Sequence, residues 1–326
     1  MKAAILTSRG AEVLEADQPV PKASEILVKV RASSLNRADL LLVDGKSHGL
    51  AGGVGTPLGL EYSGDVVAVG GDVTAYRPGD RVMCSGNGGF AEYAVTDWRR
   101  AFPIPMAAMD YETAACLTVA VRTTHVAVVT HGQLQRGQSV LVLGASSGVG
   151  LMVLQVAKLL GAGTVIGTST KADRRAQLGD FGADIALDTG ESSWRDHVLK
   201  HTGGRGVDLV VDFLAGPFIN DSMRATALGG RIVNVGRMAG ESGDFDFNLH
   251  SLRRIQYLGT TFRTRTADEV AAISEGVKTD LWAALRDGKI RLPIDVRLPL
   301  ERVAEACELM RRNEHFGKIV LTQGQA

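Results

Sequence analysis

Residues 139–161 read SVLVLGASSGVGLMVLQVAKLLG: an apolar run, a glycine-rich turn, then a second apolar run. The first six residues suit a strand buried on both faces. The second run has the length of a helix, and Gly161 reads as its C-terminal cap. A turn between such elements presents a helix N-terminus, with unpaired amides and a positive dipole end, directly after a strand. That is a pyrophosphate-binding arrangement, and glycines let backbone and phosphate approach closely. The strict G-x-G-x-x-G frame is not met, because Ala145 and Ser147 stand where its first two glycines would be. Hydroxyls of Ser146 and Ser147 are available to phosphate instead. A dinucleotide is expected on Ser146, Ser147, Gly148, Val149 and Gly150; a turn that merely packs helix on strand is the alternative.

Downstream, TVIGTS (164–169), DIALD (184–188), VDLVVDF (207–213), RIVNVG (231–236) and IQYLGTTF (255–262) are further apolar runs, with helices expected between them. Six strands in this alternation predict one complete doubly wound parallel sheet, an α/β fold. An NAD site usually has an acid about 20 residues past the glycine turn for the ribose 2′-hydroxyl. Here the second strand ends in Thr168, Ser169 and Thr170, followed by Lys171, Arg174 and Arg175. Hydroxyls and cations suit a 2′-phosphate, so NADPH is expected over NADH. Asp173, beyond the strand, reads as a helix-start residue.

Upstream the text changes to short strands broken by turns: ILVKVRAS (26–33), GDVVAVG (64–70), RPGDRVM (77–83) and GGFAEYAVT (88–96). This half is read as mainly β, and residues 291–322 as a closing strand, helix and strand. A length of 326 residues accommodates two domains. Thirty-six basic residues balance thirty-six acidic ones, so no global field draws the chain to nucleic acid or an anionic membrane. Cys84, Cys116 and Cys307 stand far apart without a C-x-x-C pair, which argues against disulfides and a cysteine-rich zinc lobe and fits a reducing cytoplasm. The N-terminal apolar run is too short for a signal peptide, and no stretch is expected to cross a membrane.

GASSGVG also suits the short-chain dehydrogenases, but their catalytic Tyr-x-x-x-Lys is absent. Asn36-Arg37-Ala38-Asp39, residues 57–64 (PLGLEYSG), residues 77–82 (RPGDRV), residues 89–93 (GFAEY), the glycine turn and residues 317–321 (GKIVL) occur in an order that resembles the medium-chain dehydrogenase/reductase superfamily. Within it the chain resembles the zinc-free quinone oxidoreductase group, which includes the zeta-crystallin-like proteins. That resemblance implies a mainly β GroES-like catalytic domain, 1–118 with 292–326, and a Rossmann domain, 119–291. It places Asn36 beside the nicotinamide, Thr123 near its ribose or carboxamide, and Arg174 at the 2′-phosphate. It puts Phe213, Val235, Gly236 and Phe262 along the nicotinamide half, with Lys318 reaching towards the cofactor. In zinc-dependent members a cysteine stands at Asn36 and a histidine at Leu60, so no metal is expected here. Thr189 and Leu41 replace two family tyrosines, one near the adenosine phosphate and one on the substrate side.

Hydride delivered to a simple ketone leaves a localised alkoxide, which calls for a metal or strong acid. A quinone or enone spreads that charge, so the Asn36 amide or Tyr62 hydroxyl is a sufficient donor. Each has a plainer alternative, Asn36 as a turn residue and Tyr62 as a packing residue. The expected function is NADPH-dependent reduction of a small conjugated carbonyl compound. Alkene reduction and NADPH binding without turnover are the alternatives. A homodimer paired along the edge strand IQYLGTTF is expected.

Overall fold

The computed structural model describes residues 1–47 and 51–324. Two compact units are present, residues 1–120 with 262–326, and residues 121–261.

In the first unit, β1 (Lys2–Thr7) and β2 (Gly10–Glu15) form an antiparallel hairpin. A larger sheet contains β3 (Glu25–Ser34), β4 (Glu61–Val69), β5 (Arg81–Ser85), β6 (Tyr93–Asp97) and β7 (Ala101–Pro103). The ten-residue β3 is its organiser, pairing antiparallel with β4 on one side and with β6 over its first half. Its alternating pattern buries Ile26, Val28 and Val30 in one apolar cluster with Val66, Val82 and Cys84. Removing such side chains from water contributes about 1.5–3 kcal/mol each.

The second unit carries β8 (Ser139–Leu143), β9 (Thr164–Thr168), β10 (Ile185–Leu187), β11 (Val207–Asp212), β12 (Thr226–Asn234) and β13 (Gln256–Gly259). All are parallel, in the order β10-β9-β8-β11-β12-β13. Every residue of β8 is buried, as its unbroken apolar run requires. The order reverses between β8 and β11, and ligands of open α/β sheets bind at the carboxyl ends of strands at such a switch point.

The chain returns to the first unit with β14 (Ile294–Pro299), the helix Val303–Arg312 and β15 (Lys318–Thr322), the strand-helix-strand order read in the sequence. β14 pairs parallel with β15, and β15 pairs antiparallel with the end of β3. Residues 262–291, grouped by the sequence with the nucleotide half, lie with the first unit. The helix Ala267–Asp280 packs on the turn Trp98–Arg100, where Ser274 Oγ donates to the Arg99 carbonyl at 3.2 Å, and Trp282 stacks 5.6 Å from Phe102.

Candidate functional site

In the second unit the glycine turn is stitched to the end of β9. Gly144 N donates to Thr168 Oγ1 at 3.0 Å, and Ala145 N to the Thr168 carbonyl at 2.9 Å. Thr168 is fully buried and therefore shapes the turn. Ser147 caps the helix Gly148–Leu159, accepting from Gly150 N at 3.2 Å and donating to the Gly144 carbonyl at 3.0 Å. A Cβ on Gly150 would lie 2.7 Å from the Ala145 carbonyl oxygen, so only glycine lets the helix start this close to the strand. The first-turn amides of Gly148 and Val149 have no acceptor among the described residues, the condition for an anion site.

Beside the turn, Ser169 Oγ donates to Ser146 Oγ at 3.2 Å, bringing hydroxyls from two adjacent strand ends together. Arg174 is 7% exposed yet has no hydrogen bond or ion pair among the described residues. Arg175, read with it as a phosphate cation, is already taken up: its guanidinium donates to the Ser169 carbonyl and Asp188 Oδ2, each at 2.8 Å. It fixes the loop and is not a free cation. Thr170 and Lys171 are exposed, and Thr189 lies partly exposed just past β10.

The carboxyl ends of β11 and β12 bring Phe213, Val235 and Gly236 together. Val235 N and Gly236 N both donate to the Asp212 carbonyl, at 2.8 and 3.1 Å. A Cβ on Gly236 would stand 2.7 Å from the Phe213 carbonyl oxygen. Asp212, not singled out in the sequence, organises this corner: its Oδ1 accepts from Leu214 N at 2.8 Å and Ala215 N at 3.0 Å. Burial pushes its carboxyl pKa up. Its signal was an acid closing the apolar run of residues 209–211. Thr123 is buried in the helix Thr118–Thr124, while Phe262 belongs to the first unit, with the Arg265 guanidinium 5.5 Å over its ring.

The first unit contains a buried polar cluster. Lys318 Nζ donates to Glu61 Oε2 at 2.8 Å and to Asn36 Oδ1 at 3.0 Å. Glu61 Oε2 also accepts from Asn36 Nδ2 at 3.0 Å and Ser34 Oγ at 2.8 Å, and Oε1 accepts from Val119 N at 2.6 Å. Lys318 thus ends on Glu61 and Asn36. Asp39 Oδ2 accepts from Asn36 N at 2.7 Å at the start of the helix Arg37–Val43. Full burial raises the Asp39 pKa to about 7, with Glu61 adding to the rise and backbone hydrogen bonds and Lys318 opposing it. Tyr62 does not join this cluster. Consecutive strand residues face opposite ways, and Tyr62, fully buried, points into the apolar cluster with Val28 and Cys84, its pKa raised by burial. That environment is the packing role, with no donor turned towards Asn36.

Comparison with known proteins matches residues 22–106 to the alcohol dehydrogenase GroES-like domain and residues 148–276 to the zinc-binding dehydrogenase family. A quinone oxidoreductase of Pongo abelii is 29% identical over 96% of this chain and 94% of its own length. A mycocerosic acid synthase-like polyketide synthase of Mycolicibacterium smegmatis is 30% identical over 95% of this chain, which spans 14% of that protein. Among solved structures, an NAD-dependent alcohol dehydrogenase is 29% identical with a TM-score of 0.86, covering 99% of this chain and all of the other. A mycobacterial protein complexed with NADPH is 26% identical with a TM-score of 0.88 and the same coverage. The chain belongs to the medium-chain dehydrogenase/reductase superfamily. It is an oxidoreductase of that superfamily, with the Rossmann and GroES-like folds expected of it.

Zinc is implied by the name of one matched family, and the donor set here does not fit it. Tetrahedral zinc takes thiolate, imidazole or carboxylate ligands. Asn36 and Leu60 supply none, and both oxygens of Glu61 are engaged by nitrogen and hydroxyl donors, with an ammonium 2.8 Å away. No cluster of three or more His, Cys, Asp or Glu among the described residues is arranged to hold a metal ion.

Proposed function

We propose that this medium-chain reductase is NADPH-dependent and zinc-independent, and reduces quinones or related conjugated carbonyls. The observation that carries the cofactor reading is the acid-free end of β9. There the Ser146–Ser169 hydroxyl pair and exposed Lys171 lie near the start of a helix holding Arg174, a mostly buried guanidinium without a carboxylate partner. A 2′-phosphate satisfies such a set, whereas a ribose hydroxyl leaves a buried cation unpaired. The mycobacterial relative bound to NADPH supports the same reading. The NAD-dependent alcohol dehydrogenase is the counter-case, and an acid at this strand end would have favoured it.

When bound, NADPH supplies the hydride, and the product takes one solvent proton with it. The protein's own residues bind and orient. Gly148 and Val149 amides receive the pyrophosphate, and Arg174, Lys171, Ser146, Ser169 and Thr170 the adenosine phosphate, with Thr189 nearby. Thr168, Ser147 and Gly150 hold the turn rigid. Phe213, Val235 and Gly236 offer an apolar edge to the nicotinamide half, with Thr123 in the same unit. Asn36 stands on the substrate side. With no metal acid, the acceptor is one that delocalises its own charge, as the quinone oxidoreductase relatives support.

Steady-state turnover with quinone, enone and saturated-ketone panels, each with NADPH and NADH, tests this. Rapid quinone or enone reduction with NADPH is expected; reduction of saturated ketones alone, or none with any acceptor, contradicts it. We also propose a cytoplasmic homodimer. β13 ends the parallel sheet with only β12 beside it, and Tyr257 on it is 40% exposed. No helix among the described residues is long and apolar enough to cross a membrane. Light scattering at twice the chain mass is expected, and a monomer contradicts the pairing.

A further inference from the structure

The Glu61–Lys318 pair is nearly sealed from solvent, with side-chain exposures of 0% and 5%. Desolvating two ions costs several kcal/mol each, and an apolar pair of the same volume is often as stable, so stability alone does not account for the charge. The geometry of the neighbours does. The Asn36 amide is gripped at both ends, its Oδ1 accepting from Lys318 and its Nδ2 donating to Glu61. An amide held this way cannot flip, and its Nδ2 hydrogens are directed by the carboxylate. The Lys318 ammonium has three hydrogens and two acceptors, Glu61 and Asn36; the third has none among the described residues.

We propose that Lys318 is a positioning residue for the reductase reaction: a fixed cation, charge-balanced by Glu61, that locks the Asn36 amide and holds positive potential on its side of the substrate. The proposal rests on the reading of Asn36 as a substrate-side residue. Negative charge appearing on the acceptor oxygen during hydride transfer is lowered in energy by a preoriented charge in a buried setting, where no solvent has to reorganise. Glu61 contributes by keeping the ammonium in place. This separates the two members: the carboxylate serves the fold and the cation, and the cation serves the reaction.

The test compares holoenzyme variants Lys318→Met, Glu61→Gln and the double variant Glu61→Gln/Lys318→Met, using thermal melting, NADPH titration and steady-state kinetics with the best quinone or enone. Each single change leaves one uncompensated buried group, so Tm falls in both. The double variant is neutral and of nearly unchanged shape, so its Tm returns to near that of the wild type. There the proposal expects kcat and kcat/KM to remain down together by about 100-fold. NADPH affinity in that variant is expected within about threefold of wild type, since the lost interaction belongs to the transition state. Lys318→Arg, which keeps the charge, is expected to recover part of the rate. A double variant that recovers activity along with Tm shows a structural ion pair and overturns the inference alone. A wild type that reduces neither panel overturns the proposed reaction and this inference with it.

Discussion

The glycine turn of the second unit and the Asn36 cluster of the first bind charge in opposite ways. The turn is built from backbone, and its amides at Gly148 and Val149 have no acceptor among the described residues. The cluster is built from side chains that satisfy one another, with Glu61 accepting from four donors. One region is open to an anion that arrives; the other has its anion and cation built in. The difference teaches where substitutions should act: on ligand affinity at the turn, and on stability and rate at the cluster.

The largest effect is expected at the cluster. Lys318→Met leaves the Glu61 carboxylate buried and unpaired, which costs about 3–5 kcal/mol, read as a lower midpoint in denaturant unfolding; an unchanged midpoint would mean that the pair is wetter than its burial indicates. At the turn, Gly150→Ala forces a Cβ against the Ala145 carbonyl. The turn must shift to relieve that contact, moving the Gly148 and Val149 amides, and a loss of about 1.4–2.8 kcal/mol of binding raises the dissociation constant for NADPH roughly ten- to hundredfold, measured by fluorescence titration. Unchanged affinity would remove the turn from the site.

Arg174→Ala sharpens the comparison further, because it should weaken NADPH alone. Losing a charged hydrogen bond costs about 1.5–3 kcal/mol, or roughly ten- to a hundredfold in affinity, with NADH unaffected. Equal losses for both cofactors would place Arg174 in the fold and not at a phosphate.

The smallest effect concerns Asp39. Its folded pKa of about 7 lies above the usual carboxylate value, so its protonated form favours folding. That contribution is full in acid and is lost as pH rises through about 7. Asp39→Asn abolishes the titration. The melting temperature of the variant relative to wild type should therefore climb between pH 5 and pH 8, by a few degrees. A flat difference would show that Asp39 titrates as an ordinary carboxylate.

Legibility in the sequence followed the same division. The parallel sheet and the glycine turn were readable because strand, turn and helix are contiguous within residues 139–161 and the periodicity is local. The cluster was not readable as a unit, because Asn36 and Lys318 meet across 282 positions. Lys318 stands out through the closing motif at residues 317–321, but its partner, Glu61, is only one position within the stretch 57–64. Tyr62, open in the sequence between a donor and a packing role, is adjacent to Glu61 but packs into the apolar cluster with Val28 and Cys84. Arg175 looked interchangeable with Arg174 until Asp188 claimed it. Asp212 went unseen because its partners are backbone amides of a corner that no periodicity marks.

The most direct test of the central claim is calorimetric titration of the wild-type protein with NADPH and with NADH under matched salt. One site per chain is expected, with NADPH bound at least about tenfold more tightly, as a buried Arg174 facing an added phosphate requires. Equal affinities, or tighter binding of NADH, would contradict the account.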